Sequence, residues 1–262
     1  MIYFLSDAHL GSRLISNPEE HQRRLVNCLR EMSTDAEQIF LLGDIFDFWC
    51  EFFYGRTGKP KGFDEVLDTL RDLAHHCPVH FFIGNHDLWT FGWLAKRTGM
   101  IVHKEPLDIT LNGKRCFLAH GDGLIAKDKR YMRLRALFHN PVAQFFFRLV
   151  PPALGNYIGY NWAAASRRKH LQVPNIYHGE NEEEQMVFAK QHEQTEHFDY
   201  YIFGHRHLEM HLLLPSGAQV CCIGDFCDHT QFAKMDEQGI FSFEEFPENE
   251  VSQDLLGFPR TT

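Results

Sequence analysis

"IFLLGDIFD", residues 39–47, runs four apolar residues into a glycine and then into Asp44 and Asp47. An apolar run of that length bounded by Gly and Asp reads as a fully buried strand that ends abruptly in polar chemistry. Five further runs have the same form: "IYFLSDAH" (2–9), "VHFFIGNHD" (79–87), "CFLAHGD" (116–122), "YYIFGHRH" (200–207) and "VCCIGD" (220–225). Helical patterns lie between the early ones. "PEEHQRRLVNCLREM" sets Leu25, Val26, Leu29 and Met32 on one face, and "FDEVLDTLRDLAHH" does the same with Val66, Leu67, Leu70 and Leu73. Asn17, ahead of Pro18 and two glutamates, has the form of a helix start. This alternation predicts a layered α/β core with mixed sheets. In such sheets ligands bind at the carboxyl ends of the strands. All the polar clusters fall there, so residues far apart along the chain are expected to converge.

Residues 124–180 break the rhythm. The stretch "YMRLRALFHNPVAQFFFRLVPPALGNYIGYNWAAASRRKHLQ" (131–172) reads as two or more helices interrupted by Pro151 and Pro152. We read it as a helical cap inserted into one domain spanning 1–245, with 246–262 as a polar tail containing Pro247 and Pro259. A chain of 262 residues can bury a full core in that arrangement.

Hydrophobic content of 44% and charged content of 23% are ordinary, whereas 24 phenylalanines and 17 histidines are not. The histidines invite a search for metal ligands. A net charge of −9 argues against non-specific nucleic-acid binding. Residues 121–170 nevertheless hold nine Lys/Arg against two Asp, which marks the cap for a different task. The seven cysteines form no Cys-x-x-Cys pair and sit beside apolar residues, as reduced structural thiols of a cytosolic protein do. The first strand begins at the first residue, leaving no room for a signal peptide, and no apolar run approaches the ~20 residues of a membrane span.

Asp7 and His9 are two apart, so on an extended strand end both point to one side. Asp44, Asn85 and His205 each follow a glycine at a strand end, where a tight turn can bring the side chain inward. His120 closes "CFLA", and His207 stands two beyond His205. Two carboxylates, one amide oxygen and four imidazoles, with no thiolate, suit Mn²⁺, Fe²⁺ or Zn²⁺ and disfavour Ca²⁺. The set exceeds what one site takes from a protein and fits two sites sharing a carboxylate. Two metals so placed clamp a phosphate and activate a water.

In this order, "DAH", "GDIFD", "GNHD", "HGD" and "GHRH" resemble the motif series of the calcineurin-like metallophosphoesterases, and the match runs to about residue 245. The resemblance implies a four-layer α/β/β/α sandwich with a helical cap. It implies one metal, Mn²⁺ foremost, held by Asp7, His9, Asp44 and His207, and a second held by Asn85, His120 and His205, with Asp44 bridging. It further implies that His86 lies by the leaving group, oriented by Asp87, and that Asp47 orients a ligand from behind. His211 is left as an ordinary strand histidine.

The cap interleaves Lys127, Lys129, Arg130, Arg133, Arg135 and Arg148 with Leu137, Phe138, Phe145, Phe146, Phe147 and Leu149. Such a surface suits a lipid-linked phosphate or an anionic membrane. A helical pair with its phenylalanines wholly buried is the plainer alternative. This region is similar to the UDP-2,3-diacylglucosamine hydrolases of lipid A biosynthesis, which cleave a pyrophosphate to UMP and a diacylglucosamine 1-phosphate. That similarity implies a lipid-linked nucleotide as substrate, with Asn85, His86, Asn161, Ser166, Arg167 and Lys169 touching it, on the cytoplasmic face of the inner membrane. One position departs: the best-known branch has Arg where this chain has His86. Competing readings are a phosphoesterase with a soluble substrate, and a binding scaffold without catalysis.

Overall fold

The computed structural model describes residues 1–54, 58–125, 129–172 and 175–247. Lys127 and the tail from 248 lie outside the described residues. Strands β1 (Ile2–Leu5), β2 (Gln38–Leu41), β3 (Val79–Phe82) and β4 (Ile101–His103) run parallel, each a short run of apolar and aromatic residues. Two late strands, β10 (Gln231–Met235) and β11 (Phe241–Glu245), extend that sheet antiparallel to give the order β11-β10-β1-β2-β3-β4. A second sheet has the order β5-β6-β7-β9-β8, from β5 (Leu107–Leu111), β6 (Lys114–Ala119), β7 (Tyr200–Phe203), β8 (Glu209–Leu213) and β9 (Gln219–Ile223).

Strand periodicity sorts the core into layers. Ile2 and Phe4 face inward with Phe40, Leu42 and Phe82, meeting Leu118, Ile202, Cys221 and Ile223 of the second sheet. Leu5, Leu41 and Phe81 face the other way, against helices α1 (Pro18–Met32) and α2 (Asp64–His76). The predicted faces, Leu25/Val26/Leu29/Met32 and Val66/Leu67/Leu70/Leu73, are the buried ones. Asn17 caps α1 by accepting from the Glu20 amide, with Pro18 in the first turn. A short helix α3 (Trp93–Thr98) follows β3. Behind the second sheet, Phe117, Tyr201 and Phe203 pack on Met186 and Ala189, which lie on α7 (Glu184–His192). The result is the expected helix–sheet–sheet–helix order.

Between β6 and α7 stand α4 (Lys129–His139), α5 (Pro141–Arg148) and α6 (Pro152–Leu171). Proline begins both α5 and α6, where its missing N–H costs nothing. Phe145 and Phe146 are 51% and 63% exposed, so the wholly buried alternative for the phenylalanine run fails; Phe147 alone turns inward, onto Trp89 and Phe52. The core also runs one residue past the expected boundary. Phe246 is buried and its N–H donates to the Thr230 carbonyl. No helix among the described residues is long and apolar enough to cross a membrane. The six cysteines other than Cys227 are buried and unpaired.

One histidine pair, His80 buried and His103 half-buried, ties stability to pH. His80, on β3, stacks on Phe40 and meets His103 of β4 across 2.8 Å. Burial, and then His103, push the His80 pKa from 6.5 down to about 4. The unfolded chain therefore binds a proton that the fold refuses, so stability is full above the unfolded value and falls as pH drops through the window between the two. Acidification from pH 7 to 5 is expected to cost about 2 kcal/mol through this residue. Urea titrations at both pH values check it, with His80→Phe losing that part of the slope.

Candidate metal centre

The strand ends do converge, but not by the expected route. Five of the seven ligand candidates have left-handed backbone: Asp7 (φ 52°), His9 (45°), Asp44 (52°), His205 (65°) and His207 (49°). Asp7 and His9 are thus not on an extended strand, since β1 has ended at Leu5. Each left-handed residue without a glycine costs roughly 1–2 kcal/mol, and such conformations gather at functional sites. The turns survive because they cross-link. The Asp7 and His9 amides donate to the Gly43 and Asp44 carbonyls at 3.1 and 3.0 Å, prolonging the β1–β2 pairing beyond the strands.

The three glycines also differ from expectation. Only Gly43 needs positive φ, at 90°. A Cβ on Gly84 would run into the Asp44 carboxylate, and one on Gly204 would stand 2.6 Å from Ser6 Oγ and 2.8 Å from Asp7 Oδ2. At those two positions the absent side chain makes room for a ligand carboxylate.

His9 Nε2 and His207 Nε2 are 3.1 Å apart, and Asp7 Oδ1 lies 3.2 Å from the latter. Asp44 Oδ2 stands 3.9 Å from His9 Nε2 and 3.4 Å from His120 Nε2. His205 joins Asp44 and His120 in a second cluster, and Asn85 Oδ1 is 3.2 Å from His120 Nε2. The donors therefore form two groups with Asp44 between them. Asp7 Oδ1 is buried without a hydrogen-bond donor. A dry carboxylate oxygen aimed at two imidazole nitrogens fits a divalent cation of the Mn, Fe or Zn type.

Electrostatics agree with that donor set. Burial opposes charge on Asp7 and Asp44, yet the surrounding imidazoles prevail and hold both carboxyls well below the usual range. Burial would discharge His9 as well, but Asp47, Asp7 and Asp44 push it up to about 9. His205 goes the other way, pushed down to about 4 by burial and by His120. The pocket draws positive charge toward its centre.

Groups behind the ligands fix which nitrogen faces inward. His120 Nδ1 donates to the Leu42 carbonyl at 2.7 Å, and His9 Nδ1 lies 3.2 Å from Asp47 Oδ1. Asp225, which closes β9, is buried with Oδ2 3.8 Å from His207 Nδ1 and 2.9 Å from His229 Nδ1. Sequence reasoning found that strand end but gave its aspartate no role, because no histidine stands next to it in the chain before His229.

His86 is placed differently from the expectation. Its ring stands edge-on to His9 at 4.9 Å, and Nδ1 donates to the Asp47 carbonyl at 2.9 Å. Asp87 does not hold it. That carboxylate accepts instead from the Gly84, Ile45 and Phe46 amides, clamping the two ligand turns together. Burial and Asp44 push the Asp87 carboxyl up to about 7.

The cap residues divide. Arg167 is buried, with Nη1 3.9 Å from Asp47 Oδ1 and Nη2 3.1 Å from Cys227 Sγ and 3.5 Å from Asp228. It ties α6 to the site. Asn161 already spends both polar atoms, accepting from Arg13 at 2.6 Å and donating to the Tyr157 carbonyl at 2.7 Å. Ser166 is half-buried and Lys169 exposed on the same helix. Arg135 is held by Asp122, and Arg148 is sandwiched between Phe53 and Phe91. Neither serves as the free cation that composition suggested. His211 is an ordinary strand residue bonded to Gln219.

Residues 1–209 match the family described as calcineurin-like phosphoesterase. The chain is 36% identical over 248 residues to UDP-2,3-diacylglucosamine hydrolase of Porphyromonas gingivalis, covering 90% of this chain and 94% of that protein. It is 29% identical to the protein of the same name from Edwardsiella ictaluri, over 92% of this chain and 90% of the relative.

Proposed function

Since this chain belongs to the calcineurin-like phosphoesterase family, we propose that it hydrolyses the pyrophosphate of UDP-2,3-diacylglucosamine to UMP and 2,3-diacylglucosamine 1-phosphate, a step of lipid A biosynthesis. The supporting observation is the convergence of Asp7, His9, Asp44, Asn85, His120, His205 and His207 beside an exposed apolar cap surface. We take the metal as Mn²⁺, with Asp7, His9, Asp44 and His207 holding one ion and Asn85, His120 and His205 the other. When bound, such a pair supplies an activated water and neutralises phosphoryl oxygens.

The chain's own residues do the rest. Asp44 faces both ligand groups and fixes their separation. The Asp47 carbonyl can only accept, so the proton on His86 Nδ1 is committed and Nε2 is left to meet the substrate. As an imidazolium, protonated at both nitrogens beside the substrate's phosphates, His86 gives its Nε2 proton to the departing phosphate oxygen and returns to the Nδ1–H imidazole. The apolar face of α5 and α6, bearing Phe145, Phe146, Leu154 and Ile158, takes the acyl chains and rests on the anionic cytoplasmic face of the inner membrane. The cap, about 124–180, thus serves a single domain whose described core runs as far as Phe246.

Mn²⁺-loaded protein given the lipid substrate is expected to release UMP and to stop when chelated; no UMP from loaded protein would end the proposal. Replacing both Phe145 and Phe146 with Ser removes two apolar contacts and is expected to raise KM for the lipid by about tenfold or more. Turnover of a small soluble phosphodiester should not change, and parallel assays of the two substrates check it.

A further inference from the structure

We propose that Arg13 binds the phosphoryl group that leaves with the lipid, so that the loop carrying the first metal ligands also grips the product phosphate. The inference rests on the function proposed above.

The cleaved lipid departs as a phosphate monoester and carries more negative charge than it bore as a diester. A cation must meet it on the side away from the attacked phosphorus. Three arginines reach the turns around the metal centre, and each is held by a carboxylate. Arg135 is paired with Asp122, Arg206 with Glu183, and Arg167 with Asp228 and Asp47. Arg13 differs. Its Nη1 donates to a neutral amide, Asn161 Oδ1, and its guanidinium lies 5.7 Å from the Tyr157 ring centroid. Among the described residues no carboxylate pairs with it. An exposed guanidinium with most of its five donors unspent is suited to a phosphate.

Position makes the same case. Arg13 stands four residues after His9, beyond a turn closed by the Ser12 amide donating to the His9 carbonyl at 3.1 Å. The loop is pressed under α6, since a Cβ on Gly11 would stand 3.1 Å from Tyr160 Oη. Asn161 precedes Arg167 on α6 by about 9 Å of helix. Arg167 lies 3.9 Å from Asp47, which backs His9, so the helix that holds Arg13 through Asn161 also reaches the centre. Leu154, Tyr157, Ile158 and Trp162 are exposed on this stretch of α6. A phosphate held here therefore sits on the acyl side of the scissile bond.

Arg13→Ala is the test, with UMP release from UDP-2,3-diacylglucosamine as the assay. KM for the substrate and the inhibition constant for 2,3-diacylglucosamine 1-phosphate are both expected to rise about 10- to 100-fold. Inhibition by UMP and the metal content should stay as in wild type, which separates lost contact from lost fold, and Arg13→Lys should recover part of the affinity. Wild-type turnover together with an unchanged lipid-phosphate inhibition constant in Arg13→Ala would overturn this inference alone. A variant weakened toward UMP but not toward the lipid phosphate would overturn it too, by placing the arginine on the nucleotide side. Failure of the wild type itself to release UMP would sink the proposed function and this inference together.

Discussion

Asp44→Asn is expected to lower UMP release by at least about 10³-fold, the equivalent of several kcal/mol of charge stabilisation at phosphorus, while leaving the apo fold intact. Asp44 Oδ2 is the one atom that faces His9 on one side and His120 on the other. Without its charge neither donor group is balanced against a second cation. The substitution is mild in every other respect. Asparagine tolerates the left-handed backbone at φ 52° and keeps an oxygen for the His86 amide, now 2.8 Å from Asp44 Oδ1. It also removes a buried charge that the surrounding imidazoles favour. The apo melting temperature should therefore fall by a few degrees while activity disappears. Activity close to wild type would show that Asp44 does not bridge.

His86→Ala should reduce kcat by about 10²- to 10⁴-fold, the range of one general acid, with KM little changed. The metal ligands stay in place, because it is the backbone amide of residue 86 that holds Asp44 and the substitution keeps it. The discriminating comparison is between leaving groups. A p-nitrophenyl ester departs without a proton, so the variant should lose far less on that substrate than on the lipid. Equal losses on both would mean that His86 positions the phosphoryl group and does not protonate the leaving oxygen.

Much of this centre was legible in the sequence because each ligand closes a buried strand. Apolar runs such as "IFLLGD" and "YYIFGH" mark strand ends without any knowledge of pairing, and a layered sheet brings such ends together. What stayed hidden depends on backbone angles and on long-range contact. The left-handed turns at Asp7, His9 and His207 leave no trace in residue type, since Asp and His also occupy ordinary conformations. Gly84 and Gly204 read as turn residues, although they are required by the approach of Asp44 and Asp7. Asp87 looked like the partner of its neighbour His86, but adjacent side chains diverge at a turn and its carboxylate found three amides instead. Arg167 looked like a free cation because its partners, Asp47 and Asp228, are distant along the chain. Phe246 looked like part of a polar tail, yet its side chain belongs to the core.

Metal stoichiometry tests the central claim most directly. Elemental analysis of protein saturated with Mn²⁺ and freed of excess should find two ions per chain, falling to one in His205→Ala, which strips a ligand from one donor group only. A single ion or none in the saturated wild type would contradict the account.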